Sequence, residues 1–356
     1  MLKRLEYHFE PKTGWMNDPN GLVYFNGQYH AFFQHYPYRP VWGQMHWGHA
    51  TSDDLISWQE MPIALFPDQE YEDEGGCFSG SAIVKDDCLY LFYTSVSKRL
   101  GQTQSVAMTR DGKTFEKYSG NPVIRSYPDD GSADFRDPKV IPYKDEYRMV
   151  VGSGKDGEGR VLLYRSTDLL HWSYMGVLFR DASLTTVMEC PDFFPLGDEY
   201  VLMFSKMGLI ERSTQFVAGA FDGERFIERT RFEVEIGPDF YAPQTFLAKD
   251  GRRIIIGWLY NWKRELDEGA SYAGALSLPR ELTMENGRLY TRPVKEAYPL
   301  LKPSDISVRI SGTKVIVSGK YEFDTFSPIR SVSILKDTKT VEVFVNGGEC
   351  AVSKWF

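Results

Sequence analysis

Polar turns and apolar strands alternate in a pattern that recurs five times along the chain. In each copy an acidic or glycine-containing turn is followed by a run of aromatic and aliphatic residues, and another β-rich segment precedes the turn. This arrangement predicts a β-hairpin whose second strand is apolar. The five turns are Asn26-Gly27, Asp86-Asp87, Asp145-Glu146, Asp198-Glu199 and Asp250-Gly251.

A second pattern follows these hairpins at a constant interval. A hydroxyl residue, an acidic turn and then an aromatic residue recur from Ser52, Thr109 and Ser166, which lie 57 residues apart, and Asp222 begins a weaker fourth copy. A period of about 50–60 residues with four strands each is typical of a β-propeller blade. The repeats therefore predict an all-β protein with a five-bladed β-propeller. The alternative, an irregular β-sandwich, gives no reason for the fivefold recurrence.

The chain changes character near residue 300. Beyond Pro293 and Pro303 the repeated pattern is absent, and short alternating strands are expected instead, for example at 315–318 and 341–345. We therefore expect two domains, a five-bladed propeller at 1–300 that carries the site and a short β-rich C-terminal domain at 301–356.

Composition and charge exclude several classes of partner. The net charge is −8 and the pI is about 5.4, which argues against nucleic acid or an anionic membrane surface. No apolar run follows Lys3-Arg4, and no stretch reaches the ~20 apolar residues of a membrane span, so we expect a cytoplasmic protein. The four cysteines match no zinc spacing. Free thiols are expected, with no metal and no cofactor.

Acidic residues stand at the predicted start of several innermost propeller strands. Asp18 and Asp137 each precede a proline, and Glu189 lies two residues before one. Proline belongs at the start of a strand rather than in its interior. When the blades are aligned on these prolines, the three carboxylates fall at equivalent positions, so we expect them to meet at one end of the axis. A strand-end turn or an ion pair is the alternative for each carboxylate alone.

A carboxylate cluster of this kind indicates sugar chemistry. A glycosidase needs one carboxyl group to protonate the leaving oxygen and a second carboxylate on the other face of the ring, which is the nucleophile in a retaining enzyme. Metal binding by the same carboxylates is the less favoured alternative, because no histidine lies in these motifs.

These motifs resemble those of the invertase, levanase and sucrose-6-phosphate hydrolase family of glycoside hydrolases. The resemblance covers about residues 5–300, and its main motifs are Trp15-Met16-Asn17-Asp18-Pro19-Asn20-Gly21, Phe78-Ser79-Gly80-Ser81, Phe135-Arg136-Asp137-Pro138, Met188-Glu189-Cys190-Pro191-Asp192 and Phe240-Tyr241-Ala242-Pro243-Gln244. That family has a five-bladed propeller followed by a β-sandwich. The resemblance implies a retaining β-fructofuranosidase that releases terminal β-D-fructofuranosyl residues from sucrose or short fructo-oligosaccharides.

The resemblance also implies roles for individual residues. Asp18 is expected to be the nucleophile, Glu189 the acid/base and Asp137 the transition-state stabiliser. Eight further residues are expected to contact the substrate: Asn17, Gln34, Trp42, Phe78, Ser79, Arg136, Tyr241 and Trp262.

The C-terminal domain departs from the family pattern. Members usually carry a longer sandwich than residues 301–356 can form, so we expect a shortened one. A shortened sandwich leaves strand edges and an apolar face to be covered. We expect it to pack on the propeller or on a second subunit of a homodimer.

Other functions remain open at this point. They are an inverting arabinanase or xylosidase on the same propeller, a fructosyltransferase, a sucrose-6-phosphate hydrolase and a non-catalytic fructan-binding protein. A phosphate needs basic partners near the pocket rim, and the candidates by position after blade strands are Lys206, Arg212, Lys263 and Arg264.

Overall fold

Strands dominate the structure. The computed structural model describes residues 3–184 and 186–356; Met1, Leu2 and Thr185, which belong to the predicted propeller domain, lie outside the described residues. The described residues contain 27 strands in seven sheets and two short 3₁₀ turns, at Glu70–Glu72 and Lys295–Leu300. Within these ranges we find no helix with the length and apolar character needed to cross a membrane.

Five sheets follow one another along the chain as propeller blades. The first blade contains β1 (Gly14–Phe25), β2 (Gln28–Tyr36), β3 (His46–Ser52) and β4 (Trp58–Leu65). The second contains β5 (Gly76–Lys85), β6 (Cys88–Ser97), β7 (Gly101–Thr109) and β8 (Glu116–Lys117). The third contains β9 (Phe135–Tyr143), β10 (Glu146–Lys155), β11 (Glu158–Ser166) and β12 (Ser173–Asp181).

The last two blades complete the ring. The fourth contains β13 (Met188–Leu196), β14 (Glu199–Lys206), β15 (Thr214–Phe221) and β16 (Phe226–Phe232). The fifth contains β17 (Tyr241–Leu247), β18 (Arg253–Trp258), β20 (Arg280–Glu285) and β21 (Arg288–Pro293), whereas β19 (Tyr272–Ala273) pairs in parallel with β1. The first strand of each blade contacts that of the next, and β17 contacts β1, so these five strands surround the axis. The predicted five-bladed propeller is confirmed.

The second sequence pattern forms the turn between the third and fourth strands of a blade. In the first blade the Ser52 hydroxyl accepts the N–H of Leu55, and Asp54 accepts two further N–H groups. The same bonds recur around Thr109 and Ser166. The aromatic residue after the turn then packs on the preceding blade, as Trp172 does on Phe92 with ring centroids 5.7 Å apart.

Two three-stranded sheets follow the propeller. The outer sheet contains β22 (Val308–Ser311), β23 (Lys314–Val317) and β24 (Tyr321–Asp324), and the inner sheet contains β25 (Val332–Lys336), β26 (Thr340–Val345) and β27 (Cys350–Trp355). Val343 lies in the core between the two sheets, whereas Leu335 and Phe344 pack in a core shared with the propeller. The inner sheet is therefore covered on both faces, and the expected packing on the propeller is present. The domain boundary near residue 300 stays a prediction.

Buried charges join the inner sheet to the propeller. Arg280 on β20 binds Glu235 at 2.6 Å and also Glu342 on β26. The ring nitrogens of His8 contact the carboxylates of Asp337 at 2.8 Å and Glu342 at 2.7 Å. The carboxylates and cations are all deeply buried, and each negative group has a positive partner, as buried charges require.

Candidate active site

Each innermost strand carries a β-bulge at the same level of the axis. The strand pairing skips two residues in every blade: Asn17-Asp18, Phe78-Ser79, Asp137-Pro138, Cys190-Pro191 and Ala242-Pro243. A bulge frees residues from the ladder and re-aims their side chains. Five bulges at one level therefore direct side chains of distant sequence into one shared funnel.

The bulges correct the alignment made on the prolines. Pro138 and its counterparts in the fourth and fifth blades lie inside the bulge, but Pro19 already pairs with Phe33. In the first blade the bulge ends just before the proline, whereas in the third, fourth and fifth blades it includes the proline. When the blades are aligned on their bulges, the three carboxylates therefore occupy three successive positions. Glu189 precedes its bulge, Asp137 is the first bulge residue, and Asp18 is the second.

Asp18 is held by its neighbours on both sides. Its Oδ2 accepts a hydrogen bond from the Ser79 hydroxyl at 2.6 Å, and its Oδ1 accepts one from the Asn17 amide at 2.9 Å. The Cys190 thiol also donates to Oδ2, at 3.4 Å. Burial raises the pKa of Asp18, the bonds from Ser79 and Asn17 oppose the rise, and the charge of Glu189 adds to it.

Asp137 has a left-handed backbone, with a φ of 67°. Its Oδ2 accepts the backbone N–H of Cys190 at 2.8 Å. Burial raises its pKa to about 7, the positive charge of Arg136 opposes this, and the charges of Glu189 and Asp18 add to it. The three carboxylates thus influence one another, which is the arrangement expected where proton transfer is tuned.

Glu189 is bound through both oxygens. Arg136 donates to Oε1 at 2.9 Å, and the Tyr241 hydroxyl donates to Oε2. Arg136 also donates to Asp134 at 2.7 Å, so its guanidinium is fixed between two carboxylates.

Cys190 connects the three carboxylates. It follows Glu189 in the chain, its N–H binds Asp137, and its thiol binds Asp18. Burial raises the pKa of this thiol, so it remains a neutral donor at physiological pH. The structure brings Asp18, Asp137 and Glu189 together at one end of the axis, and their catalytic roles stay a prediction.

Residues that the sequence patterns did not indicate support this cluster from the second blade. The Thr94 hydroxyl accepts the N–H of Asp137 at 2.9 Å and donates to Gln104 at 2.7 Å. Gln104 in turn donates to the Phe135 carbonyl, and Gln102 accepts the N–H of Phe135. The sequence offers one signal, which is that Gln102 and Gln104 lie two residues apart and therefore on the same face of β7. Buried polar side chains on a strand indicate that a hydrogen-bonding partner lies opposite them.

Aromatic side chains border the funnel. Trp15 donates from its indole nitrogen to Asn17 at 2.7 Å, and Trp262 stacks on Trp15 with ring centroids 5.7 Å apart. Trp42 packs edge-on against Phe78 at 6.1 Å. Trp42 and Trp262 are 49% and 47% exposed, so both offer a free ring surface to a ligand.

Gln34 has a different environment from the other predicted contacts. It is almost completely buried, and its amide donates to the Cys77 carbonyl of the second blade at 2.9 Å. It therefore joins the second strand of the first blade to the innermost strand of the second blade, next to the bulge of that strand. Within the described residues no group of three or more potential ligands forms a metal site.

A buried lysine fills the axis beside the site. Lys139 donates to Asp192 at 3.0 Å and to the Thr245 carbonyl at 2.6 Å. Burial lowers its pKa, and Asp192 opposes this. The ion pair joins the third and fourth blades, and the bond to the Thr245 carbonyl adds the fifth, beside the bulges that carry the carboxylates.

Comparisons with known proteins identify the family of the chain. Residues 8–293 match the family model described as the glycosyl hydrolases family 32 N-terminal domain. A sucrose-6-phosphate hydrolase of Escherichia coli is 44% identical over 87% of this chain and 69% of its own length, and a raffinose invertase of Escherichia coli is 42% identical over the same shares. A solved GH32 β-fructofuranosidase of Bombyx mori in complex with sucrose has a TM-score of 0.88 at 33% identity, covering 99% of this chain and 89% of that one. The family match and the carboxylate cluster together establish that the chain belongs to glycosyl hydrolases family 32.

Proposed function

We propose that the protein is a retaining β-fructofuranosidase that releases terminal β-D-fructofuranosyl residues from sucrose or short fructo-oligosaccharides. The observation that carries this proposal is the cluster of Asp18, Asp137 and Glu189, linked by Cys190 at one end of the propeller axis. The invertase and sucrose-6-phosphate hydrolase relatives support the same substrate class.

Asp18 is the proposed nucleophile. One of its oxygens forms a bond to the anomeric carbon of fructose while the bond to the glycosidic oxygen breaks. Ser79 and Asn17 each hold one oxygen of this carboxylate, so its orientation is fixed before the substrate arrives. A prepositioned reacting group removes much of the entropic part of a barrier.

Glu189 is the proposed acid/base. Its protonated form gives a proton to the glycosidic oxygen as that oxygen leaves. Its carboxylate then takes a proton from water, whose oxygen attacks the anomeric carbon and displaces Asp18. Arg136 and Tyr241 each bind one oxygen of Glu189, which keeps the group in one position through both half-reactions.

Asp137 is the proposed transition-state stabiliser. Its Oδ2 is used by Cys190, whereas Oδ1 has no hydrogen-bond partner in the described part of the chain. That oxygen is therefore available to accept the hydroxyl groups of fructose. The exposed rings of Trp42 and Trp262 are proposed to contact the sugar on the leaving side, with Phe78 packed behind Trp42.

The proposed roles predict that Asp18→Asn and Glu189→Gln each lower sucrose turnover by roughly 10⁴-fold, as loss of a central catalytic group does. Glu211→Gln is the matched control, because Glu211 is an exposed glutamate on the loop after β14. Folding is checked by thermal melting, and proton NMR identifies the first-formed fructose anomer. Normal turnover in both variants would disprove the site, and a first product of inverted configuration would disprove Asp18 as nucleophile.

Sucrose 6-phosphate is a second candidate substrate, favoured by the 44% identical relative. Of the four basic candidates, Arg212 binds Glu233 and Arg264 binds carbonyls of the C-terminal sheet. Lys206 and Lys263 have no acidic partner within 4.0 Å among the described residues and are the proposed phosphate ligands. We expect Lys206→Ala and Lys263→Ala to raise KM for sucrose 6-phosphate but not for sucrose. Equal effects on both substrates would contradict phosphate binding.

The proposal also covers fructosyl transfer, cellular location and oligomeric state. Hydrolysis rather than fructosyl transfer is proposed, and sugar analysis at high sucrose should show equal glucose and fructose without larger oligosaccharides. A cytoplasmic location fits the four free cysteines, because reducing compartments keep thiols free, and cell fractionation tests it.

Exposed Ile306 and Phe326 near the outer sheet support a homodimer through the C-terminal domain. A monomer in solution scattering would contradict it.

A further inference from the structure

A loop of the fifth blade connects the site to the C-terminal sheets. Residues 259–271, which we term the tryptophan loop, lie between β18 and β19 and contain Trp262. The Trp262 ring stacks on Trp15 at 5.7 Å and meets Trp258 edge-on at 4.9 Å. Trp15 binds Asn17, and Asn17 binds Asp18. The inner side of this loop therefore contacts Trp15, which is linked to Asp18 through Asn17.

The outer side of the tryptophan loop is bound by the inner C-terminal sheet. Arg264 donates to the Trp355 carbonyl at 3.2 Å and to the Phe356 carbonyl. Its guanidinium also lies over the rings of Tyr260, at 5.6 Å, and Trp355, at 5.5 Å. The hydrogen bonds and the ring contacts together fix both the position and the orientation of the Arg264 guanidinium.

A second contact holds the far end of the loop. Lys339, in the turn between β25 and β26, binds Asp267 at 2.9 Å. Inside the loop the backbone hydrogen bonds are few, with Arg264 to Asn261 at 3.2 Å and Ala270 to Asp267 at 3.0 Å. A loop of this length without regular structure samples many conformations unless outside contacts restrict it.

We infer that the inner C-terminal sheet is part of the substrate-recognition apparatus, in which Arg264 and Lys339 are positioning residues that hold Trp262 at the mouth of the funnel. This inference rests on the proposed function, because it assigns Trp262 to the sugar on the leaving side. The half-exposed Trp262 ring presents one side to solvent while its other side is packed on Trp15. The C-terminal sheet therefore sets affinity for that sugar without touching it.

Kinetics of sucrose and 1-kestose hydrolysis test the inference. Arg264→Ala should raise KM about as much as Trp262→Ala does, roughly 5–30-fold, the range expected for losing 1–2 kcal/mol of binding, with little change in kcat. In the double variant the effects should not add, because Arg264 acts through Trp262. Additive effects, or an unchanged KM in Arg264→Ala, would overturn the inference.

Arg292→Ala is the matched control. Arg292 on β21 also donates to a backbone carbonyl of the C-terminal domain, that of Gly347 at 2.8 Å, but it lies outside the tryptophan loop. It should lower thermal stability slightly and leave KM unchanged. Lys339→Ala should behave like a weaker Arg264→Ala, and it serves if Arg264→Ala does not fold. An equal KM increase in Arg292→Ala would mean a general effect on stability and would reject the positioning role.

Hydrogen exchange separates this inference from the proposed function. If the unaltered protein hydrolyses none of the fructosides, the proposed function fails but the loop can still be examined. Exchange of amides in 259–271 should be faster in Arg264→Ala and Lys339→Ala than in Arg292→Ala. Equal exchange in all three variants would reject the anchoring of the loop by the inner sheet.

Discussion

At the scale of single residues, Tyr241 offers the simplest change to the surroundings of Glu189. Tyr241→Phe keeps the buried ring and removes the hydroxyl that donates to Glu189. A hydrogen bond to a charged group is worth about 1.5–3 kcal/mol, so we expect kcat/KM for sucrose to fall roughly 10–150-fold. Tyr29→Phe, which removes a hydroxyl from another almost fully buried tyrosine away from the funnel, should leave it unchanged. A normal rate in Tyr241→Phe would contradict the role of this bond.

The raised pKa of Asp137 predicts a dependence of stability on pH. A carboxyl group whose pKa rises from 3.8 to about 7 on folding favours the folded state below pH 3.8, and this stability is lost as the pH rises through 7. Asp137→Asn removes the buried charge and keeps an acceptor for the Cys190 N–H. Its melting temperature should therefore exceed that of the unaltered protein by a few degrees at pH 8 but not at pH 4. A difference independent of pH would contradict this assignment.

At the scale of strands, the bulge of the third blade depends on a hydroxyl of the second. Thr94→Val leaves the Asp137 N–H without its acceptor, at a cost of about 1–3 kcal/mol, and frees a left-handed backbone that the hydroxyl restrains. We expect kcat to fall about tenfold and Thr94→Ser to restore it. Thr214→Val is the control, because the buried Thr214 hydroxyl has no hydrogen-bond partner among the described residues. Equal losses in both valine variants would mean that only packing was disturbed.

The same strands explain which parts of the site the sequence could predict. Asp18, Asp137 and Glu189 could be located because each lies within two residues of a proline, and these prolines lie in or directly after the bulge of an innermost strand. Thr94 and Gln104 lie on the second and third strands of a different blade, where no repeated feature marks them. Their role depends on which blade lies alongside, and that follows from the closed ring rather than from local pattern. The bulges themselves could not be predicted, since one extra residue leaves no composition signal.

At the scale of the whole molecule, the charges around His8 join the first residues to the last sheet. Burial alone would lower the pKa of His8, but the hydrogen bonds to Asp337 and Glu342 raise it to about 9. Arg280 shares Glu342 from the opposite side. A histidine with a raised pKa contributes stability that is present below pH 6.5 and lost as the pH rises through 9. The interface should therefore weaken in alkaline solution.

His8→Gln tests this dependence. The melting temperature of the variant should lie below that of the unaltered protein at pH 6, and the difference should shrink to near zero above pH 9.5. His171→Gln is the control, because His171 is an exposed residue on a turn of the third blade. A gap that persists at pH 9.5 would show that the histidine acts through its shape and not through its charge.

The C-terminal sheets were harder to predict than the propeller. Their strands could be recognised from alternation at 315–318 and 341–345, and β23 and β26 lie there. The buried partners of Glu342 could not be predicted. His8 and Arg280 are distant from it in sequence, and a charged residue in a strand usually faces solvent. The contacts between the propeller and the inner sheet therefore follow from the tertiary structure and not from any local sequence pattern.

The contact between the first residues and Asp337 has a consequence for biosynthesis. The backbone N–H of Glu6 binds a carboxylate 331 residues later in the chain. Translation at roughly 5–20 residues per second leaves the early segment without that partner for about 15–65 s. During this time the blades can form one after another as local hairpins, and the ring stays open until the fifth blade has been made. The nascent chain therefore exposes the edge of β1 until β19 arrives, and the bond between Glu6 and Asp337 can form only later.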